Sequence, residues 1–215
     1  MTEILLIRHG ETAWNAVKRL QGHLDIPLSE VGVRQAAALG HALRDEVLDA
    51  VFASDLQRAT QTAQAIVSPR AMTVQVESGL RERCYGAFEG MLYTEIGQRY
   101  PEAYAAWQAR DIDVRFPAGV HVAETLHEFS RRAMGTIIRI ASEKKYRKIA
   151  LVSHGGVLEC AYRAAQGIGF AHARDFTILN ASINRFKWDG RMLHMLKWGD
   201  VGHLALSALD EIVRV

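Results

Sequence analysis

Ile4-Leu5-Leu6-Ile7 is an unbroken apolar run, the pattern of a strand buried on both faces at the centre of a parallel sheet. Lys148–Ser153 repeats it with Ile149, Ala150, Leu151 and Val152, and Asp49–Ala53 gives a shorter version. Thr73–Glu77 alternates apolar and polar residues, which predicts an edge strand. Between these lie stretches of helical spacing. Ser29 is an N-cap candidate ahead of Val33, Ala36, Ala37, Gly40 and Leu39 or Leu43, and a second helix over Leu56–Val67 stops before Pro69. Ile96, Tyr100, Tyr104 and Trp107 predict a helix over residues 91 to about 111. Leu126, Phe129, Ala133, Ile137, Ile140 and Ala141 predict another over Ala123–Ser142, and one more starts at His154-Gly155. Trp14–Asp25 and Asp111–Val122 read as loops. Asn184–Trp188 and Met192–Trp198 flank Asp189-Gly190, a hairpin with one extra turn residue.

Strands alternating with helices predict an α/β fold with a mainly parallel sheet covered on both faces, closed at one edge by the hairpin. No repeat, low-complexity segment or linker divides the chain, so a single domain over 1–215 is expected. Apolar residues make up 49% and charged residues 23%, which argues against disorder. The net charge of +2 gives no reason to expect nucleic acid or an anionic membrane as partner. Cys84 and Cys160 are too few for a disulfide framework. With no leader-like start and no apolar run near the roughly 20 residues a membrane span needs, a cytoplasmic protein is expected.

The candidate chemistry sits where the apolar runs stop. Ile4–Ile7 ends in Arg8-His9-Gly10 and the second run ends in Ser153-His154-Gly155-Gly156. Open α/β sheets bind ligands at the C-terminal ends of their strands. Taken alone, Arg8 and His9 are equally read as residues that merely end a strand. Ser54-Asp55-Leu56-Gln57-Arg58-Ala59-Thr60 and Leu80-Arg81-Glu82-Arg83 add two motifs in order between the histidines. With all four, the chain resembles the histidine phosphatase superfamily, the group of phosphoglycerate mutases and their phosphatase relatives, over residues 4 to about 160.

That resemblance implies a three-layer α/β/α sandwich of phosphoglycerate mutase-like fold and a set of catalytic roles. His9 is the implied nucleophile, carrying a phosphohistidine. Arg8 and Arg58 are the implied phosphate cations, since a guanidinium fork binds two phosphate oxygens and stays charged. His154 is the second imidazole, with Gly155 letting backbone approach. Glu82 is the implied proton donor to the leaving oxygen and the later activator of water. Asn15, Gln21 and Gly22 match loop positions that touch the phosphate. Two bland readings compete: Arg58 as a helix-surface arginine, and Glu82 as part of a surface ion-pair cluster with Arg81 and Arg83. His23 stands out from the other histidines only because it follows Gln21-Gly22. No metal-ligand spacing occurs, so catalysis without metal or cofactor is expected.

Phosphatase and mutase share the first step, and the sequence carries signals for each. Glu82-Arg83-Cys84-Tyr85-Gly86 matches the mutase pattern Glu-Arg-x-Tyr-Gly. Against it, the stretch from Glu82 to His154 is short, and Trp107-Gln108-Ala109-Arg110-Asp111 stands where mutases carry a paired Arg-Arg. The second motif reads His-Gly-Gly rather than His-Gly-Asn, and the family's Gly-Glu-Ser is replaced by Ala123-Glu124-Thr125 after extra residues Val120–Val122. The balance favours a phosphatase acting on a small phosphomonoester, with a mutase as the alternative and a catalytically silent binding module behind both. The hairpin edge leaves a homodimer possible.

Overall fold

The computed structural model describes residues 1–204. Its centre is strand β1 (Thr2–Arg8), followed by a single helical turn α1 (Ala13–Ala16), helix α2 (Glu30–Ala42), strand β2 (Ala50–Ala53), helix α3 (Gln57–Val67) and strand β3 (Val74–Val76). Helices α4 (Tyr93–Arg99), α5 (Pro101–Gln108) and α6 (Leu126–Ala141) come next, then strand β4 (Lys148–Ser153), helix α7 (Gly155–Gln166) and strands β5 (Ile183–Trp188) and β6 (Leu193–Asp200). The six strands form one sheet in the order β3-β2-β4-β1-β5-β6. The first four run parallel, and β5 and β6 add antiparallel at the other edge.

The strand period of two sorts β1 into both cores. Ile4 and Leu6 face a layer with Phe129, Ala133 and Ile137 of α6 and Val157, Leu158 and Ala161 of α7. Leu5 and Ile7 face Leu39 of α2 and Ala59, Ala63 and Ile66 of α3. Three layers result, as the uninterrupted apolar run required. The predicted hairpin is β5–β6, with residues 189–192 as the turn, in which Asp189 accepts from the backbone of Arg191 and Met192 at 2.7 Å each.

Three expectations shift. The loop over Trp14–Asp25 contains α1, where Thr12 and Asn15 form a capping box. The helix expected over 91–111 is two helices, because Pro101 has no N–H to continue α4 and instead opens α5. In α2 the buried face is Gly32, Gln35, Ala36 and Leu39, while Val33 is 56% exposed. The cause is a close approach: a Cβ on Gly32 would lie 2.0 Å from the Glu11 carbonyl oxygen.

A third apolar cluster gathers Phe88, Ile96, Phe116 and Ala123 of the excursion between β3 and α6 around Leu20 of the loop after α1. Phe88 and Phe116 stack at 4.5 Å, and Trp107 stacks on Tyr93 at 5.5 Å. Backbone bonds from Leu20 to Met91 and from Gly90 to Leu20 fasten it to the loop after α1.

Candidate active site

The parallel register pairs Arg8 with Ser153, so the residues that follow, His9 and His154, emerge side by side. Their ring centroids are 5.2 Å apart and the residues are 2% and 0% exposed. His9 Nδ1 lies 2.6 Å from its neighbour's carbonyl, Gly10 O. A carbonyl only accepts, so Nδ1 carries the proton and Nε2 keeps a lone pair. The backbone around His9 is tied on both sides. Gly10 N donates to Thr62 Oγ1 at 3.0 Å, and Asn180 Nδ2 donates to His9 O at 3.1 Å.

His154 has the opposite arrangement. Arg58 Nε donates to His154 Nδ1 at 3.2 Å, which leaves the proton on Nε2. Nε2 is buried and has no hydrogen-bond partner among the described residues. Burial, then the Arg58 and Arg8 cations, push the His9 pKa well below its ordinary value. Burial, then Arg58 and His9, do the same to His154. Both rings are therefore neutral near pH 7, one with a free lone pair and the other with a free N–H.

Arg58 is 1% exposed, which removes the reading of it as a surface arginine. Its Nη1 and Nη2 also donate to Leu24 O at 2.9 Å and Gly22 O at 2.8 Å, so one side chain holds the loop and sets the tautomer of His154. Arg8 is fully buried and donates from Nη1 to Ile178 O at 2.6 Å.

Glu82 is 5% exposed, and the surface-cluster reading fails with it. The guanidinium of Arg81 is turned to Asp55 at 2.7 Å and that of Arg83 to Glu124 O at 3.0 Å. The Glu82 carboxylate accepts from Arg83 N at 2.8 Å and from Gly156 N, in the first turn of α7, at 3.0 Å. Glu82 O is gripped in turn by Arg132 Nη2 at 3.0 Å and His23 Nε2 at 2.8 Å. Arg132, on α6, also binds Gly79 O, Arg81 O and both oxygens of Glu124.

A cleft opens over these groups. Its wall includes His9, Asn15, Gln21, Gly22, Arg58 and Glu82, with Trp14, Tyr85 and Tyr93 at the side. Asn15 Oδ1 accepts from Thr12, so its NH2 is the end left to offer a ligand. Arg8 and His154 stand behind the wall. Gly155 is buried at the start of α7 and off the wall, and Gly156 makes the close contact: a Cβ there would lie 2.3 Å from Glu82 Oε1. A larger groove of about 830 Å3 continues past Tyr85 and Tyr93 to Trp107, Phe170 and Arg174.

The model of the histidine phosphatase superfamily, branch 1, matches residues 4–201. The chain belongs to that superfamily. It is 38% identical to phosphoglycerate mutase-like protein 4 of Arabidopsis thaliana, over 94% of this chain and 86% of that protein. It is 35% identical to the metal-independent phosphoserine phosphatase of the same plant, over 95% and 84%. Among solved structures, Bacillus stearothermophilus YhfR superposes with a TM-score of 0.85 at 31% identity, over 94% of this chain and 99% of that one.

Sequence reasoning missed the residues that hold the histidine phosphatase groups in place. Arg132 carries no motif, Glu124 stands in the altered Gly-Glu-Ser segment without a role assigned to it, and Gly156 follows the glycine to which the close approach is assigned. The segment around Asn180, which supports His9, lies beyond the four motifs. One departure from the family pattern proves harmless. Thr125 caps α6, its hydroxyl accepting from Glu128 N at 3.1 Å, as a serine there would.

Proposed function

We propose that this histidine phosphatase hydrolyses small phosphomonoesters, without a metal ion, through a phosphohistidine on His9. The observation that carries the reading is the pair of opposite tautomers on the two adjacent strand ends. In the first step the His9 Nε2 lone pair bonds to phosphorus and the ester oxygen leaves. Arg8, Arg58 and the His154 Nε2–H neutralise charge on the transferring phosphoryl oxygens, with the amides of Asn15 and Gln21 beside them. Glu82 gives its proton to the leaving alkoxide. In the second step Glu82 takes a proton from water, whose oxygen attacks phosphorus and returns His9 to the neutral form.

The mutase reading rests on Glu82-Arg83-Cys84-Tyr85-Gly86. It also needs a second anion grip in the groove. Of the arginines that line the groove, Arg110 is paired with Glu159 at 3.1 Å, Arg174 lies 4.0 Å from the same carboxylate, and Arg83 is turned to Glu124 O. The relative named a phosphoserine phosphatase makes a small carboxylated monoester the first substrate to test. Two buried, unbonded cysteines support a reducing, cytoplasmic setting, and the exposed edge at β6 supports a homodimer. No helix among the described residues is long and apolar enough to cross a membrane.

The test is phosphate release from a panel of monoesters including phosphoserine, in excess chelator. A parallel reaction holds 3-phosphoglycerate with a trace of 2,3-bisphosphoglycerate. Release by the wild type and none by His9→Ala is expected, with loss of at least about 10³-fold on removing the nucleophile. Rapid isomerisation with little release would overturn the phosphatase assignment, and full activity in His9→Ala would overturn the mechanism.

A further inference from the structure

One group of side chains beside the cleft is not used by the proposed chemistry. Cys84 Sγ, a carboxylate oxygen of Glu89 and a ring nitrogen of His121 all lie within 4.8 Å of one another. They come from two chain segments, the strip just after Glu82 and the rim loop before α6, so no sequence spacing announces them. Glu89 is divided in function. Its Oε1 accepts from the backbone of Tyr85 and of His23 at 2.9 Å each, fixing the strip against the loop at Gly22. Its Oε2 is buried on a side chain 3% exposed, is met by the neutral Cys84 thiol, and lies 3.9 Å from His121 Nδ1. A buried carboxylate oxygen left in that state is costly unless something positive meets it.

We propose that Cys84, Glu89 and His121 bind a zinc ion at the rim, separate from the reacting groups. A thiolate, an imidazole and a carboxylate are the donor set of a borderline-soft divalent metal and unsuited to magnesium or calcium. Zinc bonds of about 2.0–2.3 Å require the three donors to draw together by roughly 1 Å. The rim allows it, since the His121 side chain is 47% exposed while Cys84 and Glu89 are held. Binding releases the thiol proton to solvent and leaves the fourth position to water. The consequence is mechanical: the ion fastens the rim loop to the strip that carries Glu82, at the mouth of the cleft.

The test is titration of the metal-free protein with Co2+ alone, read by the thiolate-to-cobalt absorption in the near ultraviolet, then with Zn2+ to displace it. One equivalent is expected to give the band, and Zn2+ to remove it. Cys84→Ser is expected to abolish it, and His121→Ala, which alters only an exposed side chain, to weaken Co2+ binding at least about tenfold. Cys160→Ser and His9→Ala should keep it. Absence of the band in the wild type, its survival in Cys84→Ser, or unchanged affinity in His121→Ala each overturns the site. The readout does not depend on phosphate release, so it stands or falls apart from the phosphatase assignment.

Discussion

His9 and His154 emerge from two hydrogen-bonded parallel strands and are almost wholly buried, whereas Tyr93 and Trp107, at the groove's edge, sit on two short helices joined at Pro101 and stay partly exposed. The floor is positioned by directional hydrogen bonds: Gly10 O orients one ring, the Arg58 side chain the other, and the Thr62 and Asn180 side chains hold the main chain. The rim is positioned by ring against ring, with Trp107 touching Tyr85, Phe88, Tyr93, Tyr104 and Phe116. Directional bonds fix protonation states and tolerate little change. Aromatic packing fixes shape and can be repacked. The difference separates the chemistry every phosphomonoester needs from the surface that distinguishes one from another.

The sharpest way to break this division is at Glu82, the one floor group that comes from the excursion's own strip. Glu82→Gln keeps the shape and removes the proposed proton donor, so kcat should fall about 10²–10⁴-fold while KM moves little. With p-nitrophenyl phosphate, whose leaving group needs no proton, the first step should survive and the phosphohistidine accumulate, readable by acid-labile phosphate on the protein. Wild-type turnover in this variant would remove Glu82 from the mechanism.

Gly156→Ala tests whether the floor is as intolerant as its geometry says. The new methyl would stand 2.3 Å from Glu82 Oε1, with Phe129 at 3.0 Å on the other side. Displacing Glu82 by a fraction of an ångström to 1 Å should cost up to about 10²-fold in kcat, with Arg83→Lys, further along the strip, costing less. Gly135→Ala on α6 is the control: nothing lies within 4 Å, so activity should hold and stability rise by about 0.4–1 kcal/mol. Equal effects from the two glycines would mean that Glu82 is not held by its neighbour.

The floor was legible in the sequence and its supports were not, for a physical reason. Arg8, His9, Arg58 and His154 each belong to a short motif at a strand end or helix start, where topology brings them together, and Glu82 belongs to a motif of the strip after β3. Arg132 acts from the middle of an amphipathic helix: three of its five bonds go to backbone carbonyls some fifty residues away and two to the Glu124 carboxylate eight residues before it, relations with no local period. Val33 was misread for a similar reason. The α2 face is set by how close Gly32 passes to Glu11, which hydrophobic spacing cannot express. At the rim, spacing found the aromatic positions and Pro101 decided how the helix carrying them breaks.

The neutral rings give the floor a pH signature. His9, His154, His23 and His203 all have pKa values lowered chiefly by burial. Below about pH 6.5 the unfolded chain binds protons that the fold refuses, so stability falls as pH drops, until each folded pKa is reached. Each ring contributes up to about 1.4 kcal/mol per pH unit over its window. Urea midpoints at pH 7.5, 6.5 and 5.5 should fall steeply on the acid side, and His9→Ala should flatten the slope by one ring's share. An unchanged slope in that variant would mean His9 is protonated in the fold, which is incompatible with attack through Nε2.

The smallest effect belongs to the rim. Trp107→Ala removes a half-exposed ring that stacks on Tyr93 and borders the groove beyond the phosphate position. None of its contacts reaches His9, Arg58 or Glu82, so phosphohistidine formation from p-nitrophenyl phosphate should stay within a few-fold of wild type. For substrates whose leaving group extends into the groove KM should rise about 10-fold, in line with the roughly 1–1.5 kcal/mol an aromatic contact supplies. A uniform loss of kcat across the panel would show that the ring positions the Glu82 strip through Tyr85, and the floor and the rim would then be one device.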